Sequence, residues 1–595
     1  MTEKEIMIDK GQRLSDIMTE IESHTILHKT VCGIGATTLE LNCPRHSIII
    51  EPNVPVIKGK ELKHPAMLGV YEGVTVRMIE KYLLDNDVEY KKIMTTPESF
   101  GKVKRAIRKT GIDMYGNFFL LYDECERLIK DVDYRRSITL PTTDFFRFKQ
   151  KAMVSATPIE PSDPRFEEQG FVMNRIVPTF DYKQDIEVIQ TNNAMTMFRS
   201  VLKDMDRDER VCVFFSSTDG IEGIVERTGI KDKTSIFCST ESMDKLMSHG
   251  FTDIYDSITV ENGYAQLNRY NFFTSRFYSA VDIELEYRPV VIMLTELYSA
   301  PHTMIDPATD AIQIAGRFRN GVKRLLHITN ANRKIEYMSR EELEKYLDSS
   351  HTAYTNVKGM FVKAEEKGET DQYRQAYKAM DYSRFILPNG QTDYFMRDNA
   401  FQDELVKGHY KKISGIRDAY RDTRAFNVSY RYQRTALSDK DSRKLKKPIS
   451  REEANKIMFK LIHNMAKGKG KRYNKLLLDE LKSGCELMTE AYKVLGAKKI
   501  KEIGFSDTAL RQAISEKILS GQERSIPVKY AVYKEFKSKT WYRNKEINAK
   551  LKQIYERYGI DCDGRGITKK IGNYFRAERK TRRGSAGYML YERIL

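Results

Sequence analysis

The chain has 595 residues, 41% hydrophobic and 31% charged, enough for about three or four separately cored domains. Its formal charge of +17 is unevenly placed: residues 401–595 hold 47 Lys and Arg against 23 Asp and Glu, whereas the first 400 hold 53 against 60. No apolar run reaches the roughly 18 residues of a membrane span, no signal-peptide core follows the N-terminus, and seven cysteines without a CxxC pair argue against a disulfide framework or a zinc site. These features predict a cytoplasmic protein (nucleoid-associated, or in the host cytoplasm if viral) whose basic final third binds a polyanion, most simply nucleic acid, and no membrane.

In chain order, residues 11–29 read as a short helix leading into a strand. The stretch TVCGIGATTLEL (30–41) then sets a Gly-x-Gly turn before a helix start. Backbone N–H groups in such a turn cradle phosphate, which makes Gly33, Gly35, Ala36, Thr37 and Thr38 the expected nucleotide-binding residues, with Thr37 or Thr38 placed to ligate Mg²⁺. A standard phosphate loop has a lysine just before that threonine, and here the position holds Ala36. Lys29, Lys58 or Lys60 is then left to supply the charge. Residues 47–51 (SIIIE) and 92–100 (KIMTTPESF) read as short strands. Residues 118–128 (FFLLYDECERL) read as a buried strand whose C-terminal end opens onto the ligand crevice of a parallel sheet. There Asp123 suits a cation and Glu124 suits polarisation of an attacking water. Residues 151–158 (KAMVSATP) form a further strand. Strands alternating with helical spacers predict an α/β fold with a parallel sheet.

The order GxG-x-TT, TTPES, DECE, SATP resembles motifs I, Ib/Ic, II and III of superfamily 2 (DEAD/DEAH-like) helicases, with a degenerate Walker A motif. The resemblance covers about residues 20–335. It implies two tandem RecA-like domains, 1–180 and 181–335, with ATP and Mg²⁺ in the cleft between them. It also implies coupling of hydrolysis to lobe movement through Ser155 and Thr157, and a nucleic-acid contact at Thr96. In the second domain, RVCVFFSS (210–217) resembles the motif IV strand. NFFTSRFYSAVDI (271–283) resembles motif V, with Thr274 and Ser275 on the nucleic-acid backbone, Asp282 near the cleft, and Ser279 where the family usually has glycine. AIQIAGRFRNG (311–321) resembles motif VI, with Gln313 and two arginines, Arg317 and Arg319, either of which suits the finger that stabilises charge in phosphoryl transfer.

Residues 336–450 read as helix and linker, 451–530 as a basic helical region, and 531–595 as a winged-helix-like module. The aromatic and basic run 420–434 suits either base stacking or packing. SRKLKKP (442–448) reads as a basic linker, KGKGKR (467–472) as a basic loop, and 473–494 as a helix. In the last module, a helix over 544–558 (Ile547, Leu551, Ile554 and Tyr558 on one face) precedes a second helix over 567–575 that would enter a groove. A hairpin follows, carrying Arg579, Lys580, Arg582 and Arg583 near phosphates. The expected function is an ATP-dependent helicase or translocase, on DNA rather than RNA, in replication or repair, with replication or mobile-element partner proteins. The alternatives are a non-hydrolysing DNA-binding initiator or adaptor with a pseudo-ATPase pair, which Ala36 favours, and an RNA helicase.

Overall fold

The computed structural model describes residues 1–260, 263–265, 267–279, 283–445, 449–468, 486–561 and 566–594. The chain divides into two compact units, Met1–Gln433 and Arg434–Leu595.

The first unit contains two eight-stranded sheets, parallel throughout. The first runs Thr2–Ile8, Val172–Pro178, Thr25–His28, Gln150–Ser155, Phe119–Asp123, Ser47–Ile50, Lys92–Thr95, Met67–Val70. Its central strands are apolar runs because both faces are covered. Ile48, Ile50, Leu120 and Tyr122 enter one hydrophobic cluster, while Ile49, Phe119 and Leu121 enter the cluster on the opposite face. The chain passes from Thr25–His28 to Ser47–Ile50 across two intervening strands, so the crevice at that crossover lies beyond the ends of Thr25–His28, Gln150–Ser155 and Phe119–Asp123. The second sheet runs Ile254–Tyr255, Thr234–Phe237, Tyr270–Phe273, Val211–Phe214, Val290–Thr295, Arg324–Thr329, Gln184–Thr191, Phe426–Gln433. These are the two RecA-like lobes expected from sequence. The edge strand Thr2–Ile8 was not anticipated by the reading of the N-terminus.

The segment read as helix and linker belongs to this unit. From its helices, Leu343, Leu347, Phe395 and Met396 join the first lobe's core, and Tyr410, Ile416 and Tyr420 join the second lobe's. Residues 420–434 hold the strand Phe426–Gln433, which pairs in parallel with Gln184–Thr191. Its Val428 and Tyr430 pack on the lobe, and Arg431 meets Glu187 at 2.7 Å, so this run is a packing surface. A buried polar network pins the segment to the second lobe. Thr295 Oγ1 donates to the Thr303 carbonyl (2.9 Å), which leaves it to accept from His327 Nε2 at 3.0 Å. The Tyr420 hydroxyl then donates to His327 Nδ1 at 2.8 Å.

The second unit has two cores. The helices Arg451–Ala466, Glu486–Ile503 and Asp507–Glu523 build the first. The second is built by helix Ile526–Glu535, strand Thr540–Arg543, helix Asn544–Arg557, a 3-10 helix Ile567–Asn573, and the hairpin Phe575–Arg582/Ser585–Arg593. Its three strands form an antiparallel sheet with Ser585–Arg593 at the centre. Tyr555, not Tyr558, completes the buried face of helix Asn544–Arg557. The expected groove-entering helix at 567–575 is a seven-residue 3-10 turn, and its polar side chains point elsewhere: Lys570 (2.6 Å) and Asn573 (3.2 Å) both donate to Glu523. Of the expected linker 442–448, residues 442–445 belong to helix Asp439–Leu445 and 446–448 lie outside the described residues, as do 469–472 of the basic loop and 473–485 of the expected helix. No described helix is long and apolar enough to cross a membrane.

Burial pushes His327 down to about 3, whereas an unfolded histidine titrates near 6.5. The unfolded chain therefore takes up the proton first. The neutral imidazole's contribution is intact above pH 6.5 and is lost as pH falls toward 3, by at most about 1.4 kcal/mol per pH unit. His327→Gln should lower the melting temperature at pH 7 yet flatten its fall between pH 7 and 4; an unchanged acid slope would clear His327 of that role.

Candidate active site

The phosphate loop starts where strand Thr25–His28 ends. Gly33 (φ 79°) and Gly35 (φ 92°) hold left-handed backbone that a side chain would strain, and Gly35 leads into helix Ala36–Asn42. Ala36 is buried on the first helical position. Lys29, one residue past the strand, donates its N–H to the Ser155 carbonyl at 2.8 Å and sends its side chain into the crevice. There Nζ lies 3.3 Å from Glu124 Oε1 and 3.7 Å from Asp123 Oδ1. Thr37 Oγ1 donates to Asp123 Oδ2 at 2.5 Å. Lys60 donates to Thr38 Oγ1 at 3.1 Å, whereas Lys58 lies over the Tyr71 ring. Of the three lysines expected to replace the missing one, Lys29 sits among the acids, Lys60 touches the loop's threonine, and Lys58 is turned to an aromatic.

Glu124 adopts φ 48°, unusual for a side chain with a Cβ, and its N–H donates to the neighbouring Asp123 carboxylate at 3.0 Å. Burial works against its charge, but Lys29 and then Arg317 outweigh it, so Glu124 stays ionised. Burial likewise works against the Lys29 charge, and Glu124 and Asp123 overcome it, holding the ammonium above its ordinary range. Two further buried carboxyls surround this centre, and sequence reading missed both. Glu126 is raised to about 8 by burial and then by Glu124; Glu51 is raised by burial and then by Asp123 and Glu124. The fourth position of DECE and the acid ending SIIIE were the available signals.

The second lobe closes on these groups. Gln313 Nε2 donates to Glu124 Oε2 (2.9 Å), Thr157 Oγ1 (3.2 Å) and Glu126 Oε1 (3.4 Å). Arg317 is buried, giving Nη2 to Gln313 Oε1 at 2.6 Å and Nη1 to the Ser279 carbonyl at 2.6 Å. Arg319 behaves differently: its guanidinium packs against the phosphate loop so closely that a Cβ on Gly33 would collide with it. Gly316 packs as tightly against Cys32. Ser155 Oγ accepts from the Thr157 N–H at 2.9 Å. Two ties missed from sequence also join the lobes: Arg127 Nε to Ser279 Oγ at 2.6 Å, and Lys130 to Thr309 and Asp310.

The expected nucleic-acid residues divide. Thr96 is buried, its hydroxyl accepting from the Ser99 N–H at 3.3 Å as a turn cap. Thr274 and Ser275 are half-buried beyond the end of strand Tyr270–Phe273, Thr274 donating to the Phe237 carbonyl at 3.2 Å. Asp282 lies outside the described residues. Arg579, Lys580, Arg582 and Arg583 are exposed in the second unit, Lys580 paired with Glu578 at 3.1 Å.

The crevice fits a phosphate-borne cation. Thr37 and Asp123 converge on one point, while no cluster of three His, Cys, Asp or Glu among the described residues is shaped to hold a metal ion alone. Mg²⁺ binds in that way, through one or two protein oxygens completed by phosphate and water.

No family model and no curated protein matches the chain. Among solved structures, the chain is similar to S. cerevisiae Dbp5 bound to RNA and ADP BeF3 (12% identity, 52% of this chain, 79% of that one, TM-score 0.34). It is also similar to M. smegmatis helicase Lhr bound to ssDNA and AMP-PNP (12%, 80% and 70%, 0.32), and to a DEAD box protein from Methanococcus jannaschii (14%, 55% and 85%, 0.29).

Lys29 is the cation nearest the Asp123 and Glu124 carboxylates, so Lys29→Met should destabilise the first unit by about 3–5 kcal/mol. Adding Glu124→Gln should restore part of that loss in thermal melts. A Lys29→Met protein as stable as the parent would remove the pair from its structural role.

Proposed function

We propose that this chain, whose fold is superfamily 2 helicase-like, is an ATP-dependent helicase or translocase acting on DNA, with Lys29 serving in place of the absent phosphate-loop lysine. The observation that carries the reading is the contact of Arg319, from the second lobe, with Gly33 of the phosphate loop. A guanidinium at that point meets whatever charge develops on a transferring phosphoryl group, which is the finger's task. Buried and hydrogen-bonded to Gln313 and to the Ser279 carbonyl, Arg317 is the positioning arginine of the two.

The roles follow from chemistry. The N–H groups of 33–37 face phosphate oxygens, and Lys29 moves from Glu124 toward them when negative charge enters. Thr37 and Asp123 would hold Mg²⁺, which would supply charge screening and Lewis-acid polarisation at the phosphates. As Lys29 withdraws, Glu124 becomes more basic, with Arg317 still favouring its charge, and takes the proton of the attacking water. Gln313, bonded to both Glu124 and Thr157, senses the state of the acid and passes it to Ser155 and Thr157 and to the lobe contacts. Thr274 and Ser275 are the half-buried hydroxyls offered to a strand's backbone. The antiparallel sheet of the second unit supports a basic hairpin, without a recognition helix, whose exposed Arg579, Arg582 and Arg583 meet phosphates. Replication or repair, with partner proteins from either process, is the setting this activity suits.

Ala36 is the one observation that favours a non-hydrolysing adaptor. ATP hydrolysis by the purified protein, alone and with single-stranded DNA, duplex DNA or RNA, separates the readings. Turnover is expected to rise with DNA, to vanish in Glu124→Gln while nucleotide binding persists, and to fall about 10³-fold or more in Arg319→Ala. No turnover under any condition would favour the adaptor, and stimulation by RNA alone would favour an RNA helicase.

A further inference from the structure

The only tryptophan of the chain lies in the second unit, in strand Thr540–Arg543. In the antiparallel sheet Trp541 pairs with Met589, which pairs onward with Glu578. The next rung on the same face is Arg543, Gly587 and Lys580, and the last is Ser585 with Arg582. The opposite face is the packed one, where Leu590, Tyr588, Tyr542 and Ala577 join the hydrophobic cluster. Trp541 is therefore on the outer face of the sheet. It lies flat across the central strand, because a Cβ on Gly587 would meet its Cε2 and Cζ2 at 2.8 Å. Its Nε1 reaches beyond that strand to the Lys580 carbonyl at 3.1 Å, which fixes the ring. Arg543, Lys580 and Arg582 are exposed around the half-buried indole, with Glu578 the single acid among these rungs. The Tyr591 ring, 5.7 Å from Lys580 Nζ, extends the same face.

We propose that this outer face is a base-stacking platform for single-stranded DNA, with Trp541 stacking on a nucleobase and Arg543, Lys580 and Arg582 pairing with the flanking phosphates. The inference rests on the nucleic-acid reading above and adds to it a strand-selective site. A ring held flat on a sheet by a glycine beneath and one hydrogen bond at its edge is pre-ordered for stacking, which every unpaired base accepts and a closed duplex does not offer. The charge complementarity is local: three exposed cations and one acid border the ring. The 3-10 turn Ile567–Asn573 leaves this face, and not a recognition helix, to carry the contact.

Because Trp541 is unique, its emission reports the platform directly in the unaltered full-length protein. Labelled oligonucleotide anisotropy establishes binding, and tryptophan emission is followed in the same titration. The strands are oligo-dT, an abasic DNA of equal length, duplex DNA and an oligo-U RNA. Oligo-dT is expected to quench and to shield the indole from acrylamide, whereas abasic and duplex DNA should bind without quenching. Trp541→Ala should weaken oligo-dT binding about 5- to 150-fold with an unchanged salt slope, and Arg582→Ala should lower the slope. Oligo-dT binding by anisotropy with unaltered emission would overturn the platform while leaving the DNA-motor reading standing. Quenching by RNA alone would overturn the assignment to DNA. Loss of all nucleic-acid binding would overturn both.

Discussion

One lysine holds together an acid cluster that sheet geometry makes unavoidable. A parallel sheet brings the ends of adjacent strands to one edge, and here Phe119–Asp123 and Ser47–Ile50 each finish beside a carboxylate, Asp123 and Glu51. With Glu124 and Glu126, four acids share a largely buried crevice. Like charges cannot all ionise there, and the populations divide: Glu124 is kept charged, while Glu51 and Glu126 are driven toward the neutral form. What selects Glu124 is its 3.3 Å contact with Lys29. A lysine at position 36 would approach from the helix instead; Ala36 leaves that route empty, and the strand-end lysine takes the central position. The identity of the ionised acid thus depends on the same side chain that is proposed above to take the place of the phosphate-loop lysine.

The second lobe is bound to this charge pattern through Gln313. Its amide has two N–H groups and three acceptors within reach, in Glu124, Thr157 and Glu126. Gln313 Oε1 also accepts from Arg317 Nη2 at 2.6 Å, so the same amide joins the Glu124 carboxylate to the end of helix Asp310–Gly316. Arg319 lies on the other side of that helix end, against Gly33. The absence of a Cβ at Gly33 leaves room for the Arg319 guanidinium, and the absence of one at Gly316 leaves room for the Cys32 side chain.

The parts legible in the sequence were those with a short-range cause. Apolar runs of four to six residues ending in small polar ones marked the central strands, and GxG, DECE, SATP and the paired arginines fell at the edge where the fold places them. The misreadings arose where the cause was long-range. Residues 420–434 suited base stacking as well as packing, and only the pairing of strand Phe426–Gln433 with Gln184–Thr191, more than two hundred residues earlier, decides for packing. Glu126 was given no role from sequence, and its burial beside Gln313 is set by the tertiary fold. Thr96 carries a family motif, yet its hydroxyl is used within its own turn. Arg317 and Arg319 are equivalent on paper, and only packing against Gly33 separates them.

The same distinction governs the C-terminal unit. Its charge surplus was plain from composition, but composition does not say which cations face out. Glu523 decides much of this: it draws in Lys570 and Asn573, and its carbonyl accepts from the Tyr574 hydroxyl at 2.8 Å. Those bonds tie the segment 567–574 to the end of helix Asp507–Glu523. The segment is thereby too short and too committed to read a groove. On the hairpin, strand alternation places Lys580, paired with Glu578, and Arg582 on the face that carries Trp541. The ties to Glu523 occupy the polar side chains of 567–574, so the sheet face that carries Trp541 is the surface left for the proposed strand contact, and a sheet face bearing an aromatic ring favours bases that are already unpaired.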